Sequence, residues 1–114
     1  MNIEDMRDSA ADAAEFLRSF ANETRLMIVC QLVEGERNVG ELCEALDARQ
    51  STVSQQLALL RRDGIVAGRK EAQTVYYSLA DENAQKLVGL LYDLFCAKPA
   101  APQKRKGARP KTMA

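Results

Sequence analysis

The chain has 114 residues, of which 46% are apolar and 28% charged, which suits a single domain with its own core. No run approaches the ~18–20 consecutive apolar residues of a membrane helix, and the acidic start Met1–Asp5 lacks the apolar segment of a secretory signal. We therefore expect a cytoplasmic protein with no membrane segment. Three widely separated cysteines do not suggest a disulfide framework.

The net charge of zero hides a segregation of charge along the sequence. Residues 98–114 contain six of the 16 basic residues, three prolines and no acidic residue, so we interpret them as a basic, disordered tail behind a domain spanning residues 1–97. Residues 49–70 contain five bases and one acid within an otherwise acidic body. Such a segment suits a polyanion-binding face and a solvated charged surface equally well, so its place in the fold decides between them.

Three helices are predicted for the first part of the chain. Apolar residues at a spacing of three and four predict an amphipathic helix over residues 8–20. Asn22 can cap a second helix, which stops near Gly35. Asn38 and Glu41 resemble a capping box at the start of a short third helix.

A fourth helix follows a turn of only three residues, Asp47–Arg49. Val53, Leu57 and Leu60 have the spacing of its inward face, and Gly64 closes it. Two short helices joined by such a turn predict a helix-turn-helix.

A β-hairpin and a last helix complete the predicted domain. The β-prone runs 65–70 and 74–79 flank a loop at residues 71–73, and a broad apolar stripe predicts a helix over residues 83–97. The order predicts a mainly α fold with a β-hairpin wing, the winged helix-turn-helix. Because the small core cannot cover the apolar stripes of the first and last helices, we expect a homodimer through these two helices.

The fourth helix presents an uncharged polar face that suits DNA reading, since hydroxyl and amide groups reach phosphates and base edges. An ordinary solvent-facing helix more often carries Glu and Lys. Basic side chains in the wing suit phosphate contacts, as do Arg61 and Arg62, which equally suit the negative end of the helix macrodipole. The candidate DNA-binding residues are Arg49, Gln50, Ser51, Thr52, Ser54, Gln55, Gln56, Arg61, Arg62, Arg69 and Lys70.

Several motifs resemble the ArsR/SmtB family of small regulators over about residues 10–97. They are Thr24-Arg25-Leu26, Glu41-Leu42-Cys43, the run Ser51–Leu57, the run Leu60–Gly64 and the run Thr74–Tyr77. The resemblance implies a dimeric winged-helix repressor of double-stranded DNA that leaves its palindromic operator when an inducer binds. Arg49 departs from the usual Ser-like helix cap, which predicts either a shifted helix start or an added phosphate contact.

The metal-ligand sets that this resemblance implies are largely missing. The chain has no histidine, so the zinc site that Asp and His residues build on the last helix of some relatives cannot form. The third helix keeps Cys43 but has Ala45 where other relatives carry a second thiol. Three thiols without an imidazole suit zinc poorly, so we expect neither a metal site nor a cofactor.

Cys30 and Cys96 resemble the cysteine pair of the HlyU/BigR/SqrR-like branch of the family, whose thiols react with persulfides or oxidants. Glu34-Gly35-Glu36 and the run Val39–Leu42 also fit that branch. The resemblance implies a di- or polysulfide bridge within one subunit, formed by reactive sulfur species or oxidants, that changes operator affinity. Without this family resemblance, we would interpret Cys30 as a small core residue. For Cys43 we favour packing beside its leucine neighbours.

Three alternatives stay open. Arsenite or another thiophilic metalloid is the inducer if Cys43 converges with the other two thiols in trigonal geometry. An enzyme has little support, because the chain has no histidine base and no phosphate-binding glycine loop, although a thiol peroxidase would use the cysteine pair. A protein-interaction module would use the apolar stripe on residues 84–95 and would bind no operator. We predict a transcription regulator and not an enzyme.

Overall fold

The computed structural model describes residues 1–96, so the tail predicted for residues 98–114 lies outside the described residues. The elements of this part are α1 Ile3–Arg18, α2 Glu23–Val33, β1 Arg37–Asn38, α3 Val39–Leu46, α4 Gln50–Arg62, β2 Val66–Glu71, β3 Thr74–Leu79 and α5 Glu82–Phe95. Their order confirms the winged helix-turn-helix, with α3 and α4 as its helix pair and the β2–β3 hairpin as its wing. Among the described helices, none has the length and apolarity that crossing a membrane requires.

Polar side chains cap the starts of α2, α3 and α5. Asn22 accepts a hydrogen bond from the backbone N–H of Arg25 at 3.0 Å, which begins α2 where the sequence predicts. The capping box of Asn38 and Glu41 is confirmed, with its two reciprocal bonds at 2.8 and 2.9 Å. Asp81 caps α5, which begins one residue before the predicted start.

The bounds predicted for α1 are wrong at both ends. The helix begins early because Asn2 accepts a hydrogen bond from the backbone N–H of Glu4 at 2.8 Å, and acidic residues follow in the positive first turn. Apolar spacing missed this start because residues 1–7 are exposed. The helix ends before the predicted residue because Ser19 and Phe20, each 6% exposed, turn into the core.

The three strands form an antiparallel sheet in the order β1-β3-β2. The two-residue β1 pairs with Tyr76 and Tyr77 of β3, and it is too short for an alternating pattern to have predicted it. In the wing, Glu71 pairs with Thr74, so the loop shortens from the three predicted residues to Ala72-Gln73. The sheet therefore joins the wing to the segment between α2 and α3.

The turn between α3 and α4 contains the three residues predicted from the sequence. Asp47 adopts the left-handed conformation with φ 53°, which ends α3, and the N–H of Ala48 donates to the carbonyl of Cys43 at 3.0 Å. Arg49 occupies the N-cap position of α4 and makes no cap hydrogen bond with its side chain. The departure at Arg49 thus leaves the helix start at Gln50 and its cap position without a side-chain acceptor.

The core lies where α2, α3 and α4 meet the sheet. The predicted inward face of α4 is confirmed, because Val53, Leu57 and Leu60 are at most 1% exposed. Each such burial contributes about 1.5–3 kcal/mol, so α4 is firmly anchored. By contrast, α1 has no buried residue, and α5 buries only Ala84 and Val88.

Candidate functional site

The face of α4 that points away from the core is polar and accessible. Its exposed members are Gln50, Ser51, Ser54 and Gln55, while Thr52 and Gln56 are half-buried at its flanks. With Val53 and Leu57 fixed in the core, helix geometry brings these polar side chains to one surface. The structure therefore assembles the predicted reading residues of α4 on a single, rigidly supported face.

Gln56 is held in place by Arg25 of α2, a contact that the sequence reasoning missed. Arg25 Nη1 donates to Gln56 Oε1 at 2.8 Å, and its other nitrogens donate to the carbonyls of Ser19 at 3.0 Å and Arg18 at 3.4 Å. One guanidinium thus ties the end of α1 to α4. The signal lay in the Thr24-Arg25-Leu26 motif, but contacts between residues 31 apart in sequence are invisible to local periodicity.

Three of the predicted phosphate-binding cations are exposed and also free of ion pairs with the rest of residues 1–96. Arg49, Arg61 and Lys70 are exposed and have no carboxylate partner within residues 1–96. Arg61 lies against β2 at Gly68, where a Cβ atom would come 3.2 Å from Arg61 Nη1. The missing Cβ of Gly68 therefore leaves room for this guanidinium between α4 and the wing.

Arg69 differs from these three cations, because its guanidinium is already bound by carboxylates. It donates two hydrogen bonds to Glu36 at 2.9 and 3.0 Å and one to Glu71 at 2.9 Å, and it lies 5.2 Å from the ring centroid of Tyr76. The hydrogen bonds to Glu36 raise the pKa of Arg69 and lower the pKa of Glu36. Arg69 lies within β2, inside the β-prone run predicted for residues 65–70.

Arg62 and Asp63 form the junction of α4 with α1. The Asp63 carboxylate accepts hydrogen bonds from Ser19 Oγ at 2.9 Å and from Arg62 Nε at 3.2 Å. The hydrogen bond from Ser19, followed by that from Arg62, holds the pKa of Asp63 below its usual range. Arg62 remains 70% exposed, so this ion pair leaves much of its side chain in solvent.

All three cysteines are free thiols. Cys43 is half-buried on α3 and packs against the core, which is the role favoured from the sequence. Cys30 is half-buried near the end of α2, while the exposed Cys96 caps α5, which ends at Phe95 and not at the predicted residue 97. Burial raises the pKa of the Cys30 thiol, and the negative charge of the Cys96 thiolate raises it further.

A groove of about 610 Å³ opens between α2 and α5 beside Cys30. Its polar lining comprises Cys30, Gln31, Glu34, Arg37, Tyr92 and Asp93. Cys96 is not among the lining residues, but it follows Tyr92 by four residues and Asp93 by three, which places it one turn beyond them on the same side of α5. The N–H of Cys96 donates to the carbonyl of Tyr92 at 2.8 Å, which keeps this last turn helical. Within residues 1–96, no group of three or more His, Cys, Asp or Glu side chains is arranged so that it could hold a metal ion.

Comparison with known proteins relates the chain to bacterial transcription regulators. The model of the arsR family of bacterial regulatory proteins matches residues 22–67. The chain is 47% identical over 96 residues to the transcriptional activator HlyU of Vibrio cholerae, covering 84% of this chain and 89% of that protein. It is 47% identical over 92 residues to the biofilm growth-associated repressor of Agrobacterium fabrum, covering 81% of this chain and 79% of that protein.

Solved structures share the fold. The transcriptional repressor BigR from Xylella fastidiosa matches with a TM-score of 0.81 and 44% identity, covering 86% of this chain and 100% of that chain. A homodimeric winged helix-turn-helix fragment from Mycobacterium bovis matches with a TM-score of 0.68 and 31% identity, covering 79% of this chain and 84% of that chain. These similarities confirm the family resemblance carried by the motifs. The chain belongs to the ArsR family of DNA-binding transcriptional regulators, in the branch that contains HlyU and BigR.

Proposed function

We propose that the chain is a cytoplasmic, homodimeric regulator whose affinity for a palindromic operator is switched when Cys30 and Cys96 become bridged. The observation that carries this proposal is a pair of neighbouring free thiols in a DNA-binding fold. Cys30 of α2 lines the groove, and Cys96 at the C-cap of α5 lies close enough for its thiolate charge to raise the pKa of Cys30. The relatives bear the names of regulators, and we propose no enzymatic activity.

Exposed apolar side chains on α1 and α5 support the proposed dimer. Leu90 and Leu94, one turn apart on α5, are 54% and 65% exposed, and Leu17 of α1 is 55% exposed. A second copy would bury these surfaces around a two-fold axis, and the Mycobacterium bovis relative is described as homodimeric. Such a pair would present its two α4 helices to successive major grooves, about 34 Å apart.

The proposed DNA surface combines base reading by α4 with phosphate contacts around it. The reading group is Gln50, Ser51, Thr52, Ser54, Gln55 and Gln56, and the phosphate group is Arg49, Arg61, Arg62 and Lys70. In the DNA major groove, Gln56 would contact bases chiefly through its NH₂ group, because its amide oxygen is already hydrogen-bonded to Arg25. Arg69 joins the phosphate group only when Glu36 releases it.

Operator binding tests the DNA surface directly. An operator is first selected from random duplexes, and its affinity is then measured by fluorescence anisotropy across a salt series. The double variant Ser54→Ala/Gln55→Ala removes direct base contacts, so its affinity falls by about tenfold or more while the salt slope stays unchanged. The matched control Gln85→Ala on α5 keeps the affinity of the wild type. Unchanged affinity in the double variant would remove α4 from the proposed reading surface.

The proposed switch is a two-step thiol exchange in which the exposed thiol acts first. The Cys96 thiolate attacks the outer sulfur of a persulfide R–S–SH, the S–S bond breaks, and R–S⁻ leaves and takes a proton from water. Cys96 then carries –S–SH. The Cys30 thiolate attacks Cys96 Sγ, HS⁻ leaves, and a Cys30–Cys96 disulfide forms. The two thiols supply both electrons that reduce the transferred sulfur to sulfide, so no further oxidant is needed.

The half-buried Cys30 suits the second step, because its raised pKa disfavours reaction with molecules in bulk solvent. If Cys30 also acquires a sulfur before closure, its –S–S⁻ group attacks Cys96 Sγ and the bridge contains three sulfurs. Either bridge would draw the end of α5 towards α2. Because α5 also belongs to the proposed dimer, this movement would change the spacing of the two α4 helices and hence operator affinity.

Intact-mass titration of the reduced protein tests the switch and separates it from the metalloid alternative. With cysteine persulfide we expect Cys30→Ser to retain one added sulfur on Cys96, while the wild type and the control Cys43→Ser lose two hydrogens or gain bridging sulfur. Peptide mapping should find the bridge between Cys30 and Cys96. Stoichiometric arsenic after arsenite treatment, with neither a loss of two hydrogens nor a sulfur gain after persulfide treatment, would replace the switch with metalloid binding.

A further inference from the structure

We infer that the groove between α2 and α5 binds the carrier of the inducer, which is a zwitterionic amino-acid or short-peptide persulfide. This inference rests on the proposed dithiol switch and adds a recognition site to it. The groove has a volume of about 610 Å³, within the range of about 300–1,000 Å³ that is usual for small-molecule sites. It therefore has room for more than the sulfur atoms that react.

The charges of the groove match a zwitterion. Arg37 supplies one cationic group to the lining, while Glu34 from the end of α2 and Asp93 from α5 supply carboxylates. A guanidinium binds a carboxylate through paired hydrogen bonds, and a carboxylate of the groove binds an ammonium group. An α-amino acid carries both of these groups on one carbon, whereas a simple alkyl persulfide carries neither.

The backbone of Arg37 is held in place by the sheet, and its guanidinium is available to bind a ligand. Its backbone belongs to β1, which pairs with Tyr77 of β3, so the start of its side chain is held by the sheet. Its Nη1 donates to the backbone carbonyl of Glu36 at 3.0 Å, and no carboxylate of residues 1–96 pairs with it. The rest of its guanidinium can therefore accept a carboxylate from a ligand.

The thiols lie where the sulfur of such a ligand would reach them. Cys30 lines the groove itself, and Cys96 extends the α5 face that carries Gly89, Tyr92 and Asp93. Leu90 points to another side of α5, towards the proposed dimer surface. A carrier anchored by its charged groups would thus present its outer sulfur to the dithiol and leave as the thiol R–SH.

Binding is tested with S-methylcysteine, an unreactive thioether that keeps the carboxylate and ammonium groups. The reduced full chain is titrated and its backbone amides are followed by NMR. We expect saturable shifts around Arg37 and Gly89 in the wild type and in the control Arg7→Gln. Arg37→Gln should weaken binding by about tenfold, because it removes a charge-assisted hydrogen-bonded pair. Arg37→Lys, which keeps the charge, should restore part of the affinity.

A second variant blocks the groove without changing its charge. A Cβ atom on Gly89 would meet nothing within 4 Å, and leucine favours a helix more than glycine does. Gly89→Leu should therefore stay folded while its side chain fills the groove and abolishes binding. The inference is overturned if the wild type shows no saturable shifts, or if the shifts persist in both Gly89→Leu and Arg37→Gln.

Reaction rates separate this site from the switch on which it rests. Arg37→Gln should slow modification by cysteine persulfide about tenfold and leave modification by carrier-free hydrogen disulfide unchanged. Equal slowing of both reactions would overturn the carrier site, although the bridge would still form. If S-methylcysteine binds as expected but neither persulfide closes the bridge, the carrier site stands and the dithiol switch is wrong.

Discussion

Helices α4 and α5 differ in how firmly one protomer holds them. In α4, three apolar side chains are at most 1% exposed, Arg25 bonds Gln56 from α2, and Ser19 bonds the Asp63 carboxylate just beyond its end. In α5, the buried contacts end at Val88. The second half of α5 then exposes Leu90, Tyr92, Leu94 and Phe95, with Cys96 as its cap.

This difference separates the proposed reading surface of α4 from the proposed switch at the end of α5. A surface that reads bases needs side chains held in fixed positions, and one protomer provides this for α4. Within residues 1–96 the end of α5 has few buried contacts, and in our proposal it gains them from a second copy or from a bridge to Cys30. A segment with few buried contacts is also the one that a covalent change can move at low cost.

The largest effect is expected from placing a charge on the exposed apolar surface of α5. Leu94→Glu places a charge on the proposed dimer surface, so the protein should become monomeric and lose roughly a hundredfold or more in operator affinity with its second half-site. Light scattering and anisotropy measure the two effects. Gln85→Glu, on another side of α5, is the matched control and should stay dimeric. A monomeric wild type that binds a palindrome tightly would contradict the proposed role of the exposed α5 surface in dimerisation.

A smaller effect is expected from loosening α4 inside the protomer. Arg25→Met removes the hydrogen bonds to Gln56 and Ser19, so the free energy of unfolding should fall by about 1.5 kcal/mol. Operator affinity should fall by about tenfold, because Gln56 is no longer positioned. Urea unfolding and anisotropy measure these changes, with Arg7→Met on the exposed face of α1 as the control. Normal operator affinity in Arg25→Met would show that Gln56 needs no such support.

The junction of α1 and α4 adds a pH-dependent contribution. The folded-state pKa of Asp63 is lowered mainly by the hydrogen bond from Ser19, so this stabilisation is present at neutral pH and is lost as pH falls through the lowered pKa. Ser19→Ala should cost about 1 kcal/mol of unfolding free energy at neutral pH and less in acid. Urea unfolding at both pH values tests this, with the exposed Ser9→Ala as control. An equal cost at both pH values would assign the effect to packing alone.

The smallest effect concerns the wing. Glu36 follows the end of α2 and holds Arg69 of β2, so Glu36→Gln should free part of this guanidinium for DNA phosphates. Operator affinity should rise about threefold at low salt, and the salt slope should steepen by about one. Glu82→Gln at the start of α5 is the control for loss of a negative charge. A lower affinity would mean that the ion pair supports the wing in its DNA-binding shape.

Local sequence rules predicted the elements that depend on local chemistry. The cap at Asn22, the capping box at Asn38 and the inward face of α4 follow from interactions within four residues, and all three are confirmed. The short β1 was missed because its two residues form a strand only through pairing with β3. The start of α1 was missed because an exposed helix shows no apolar period there.

Contacts between distant segments set the limit of what the sequence predicted at the site. The polar face of α4 followed from helical spacing, but the pair of Arg69 with Glu36 joins residues 33 apart. The bond from Arg25 to Gln56 likewise depends on how α2 packs against α4. The pairing of Cys30 with Cys96 came from family resemblance and not from spacing, and the groove between their helices became visible only in three dimensions.

If bridging Cys30 and Cys96 switches operator affinity, operator binding should respond to persulfide only when both thiols are present. Operator Kd is measured for reduced and persulfide-treated protein, before and after adding a reductant, in the wild type and in Cys30→Ser, Cys96→Ser and Cys43→Ser. We expect treatment to change the Kd of the wild type and of Cys43→Ser by about tenfold or more, reversibly, and to leave the other two variants unchanged. A bridged wild type with unchanged Kd, or a Cys30→Ser variant that still switches, would show that the Cys30–Cys96 bridge is not the switch.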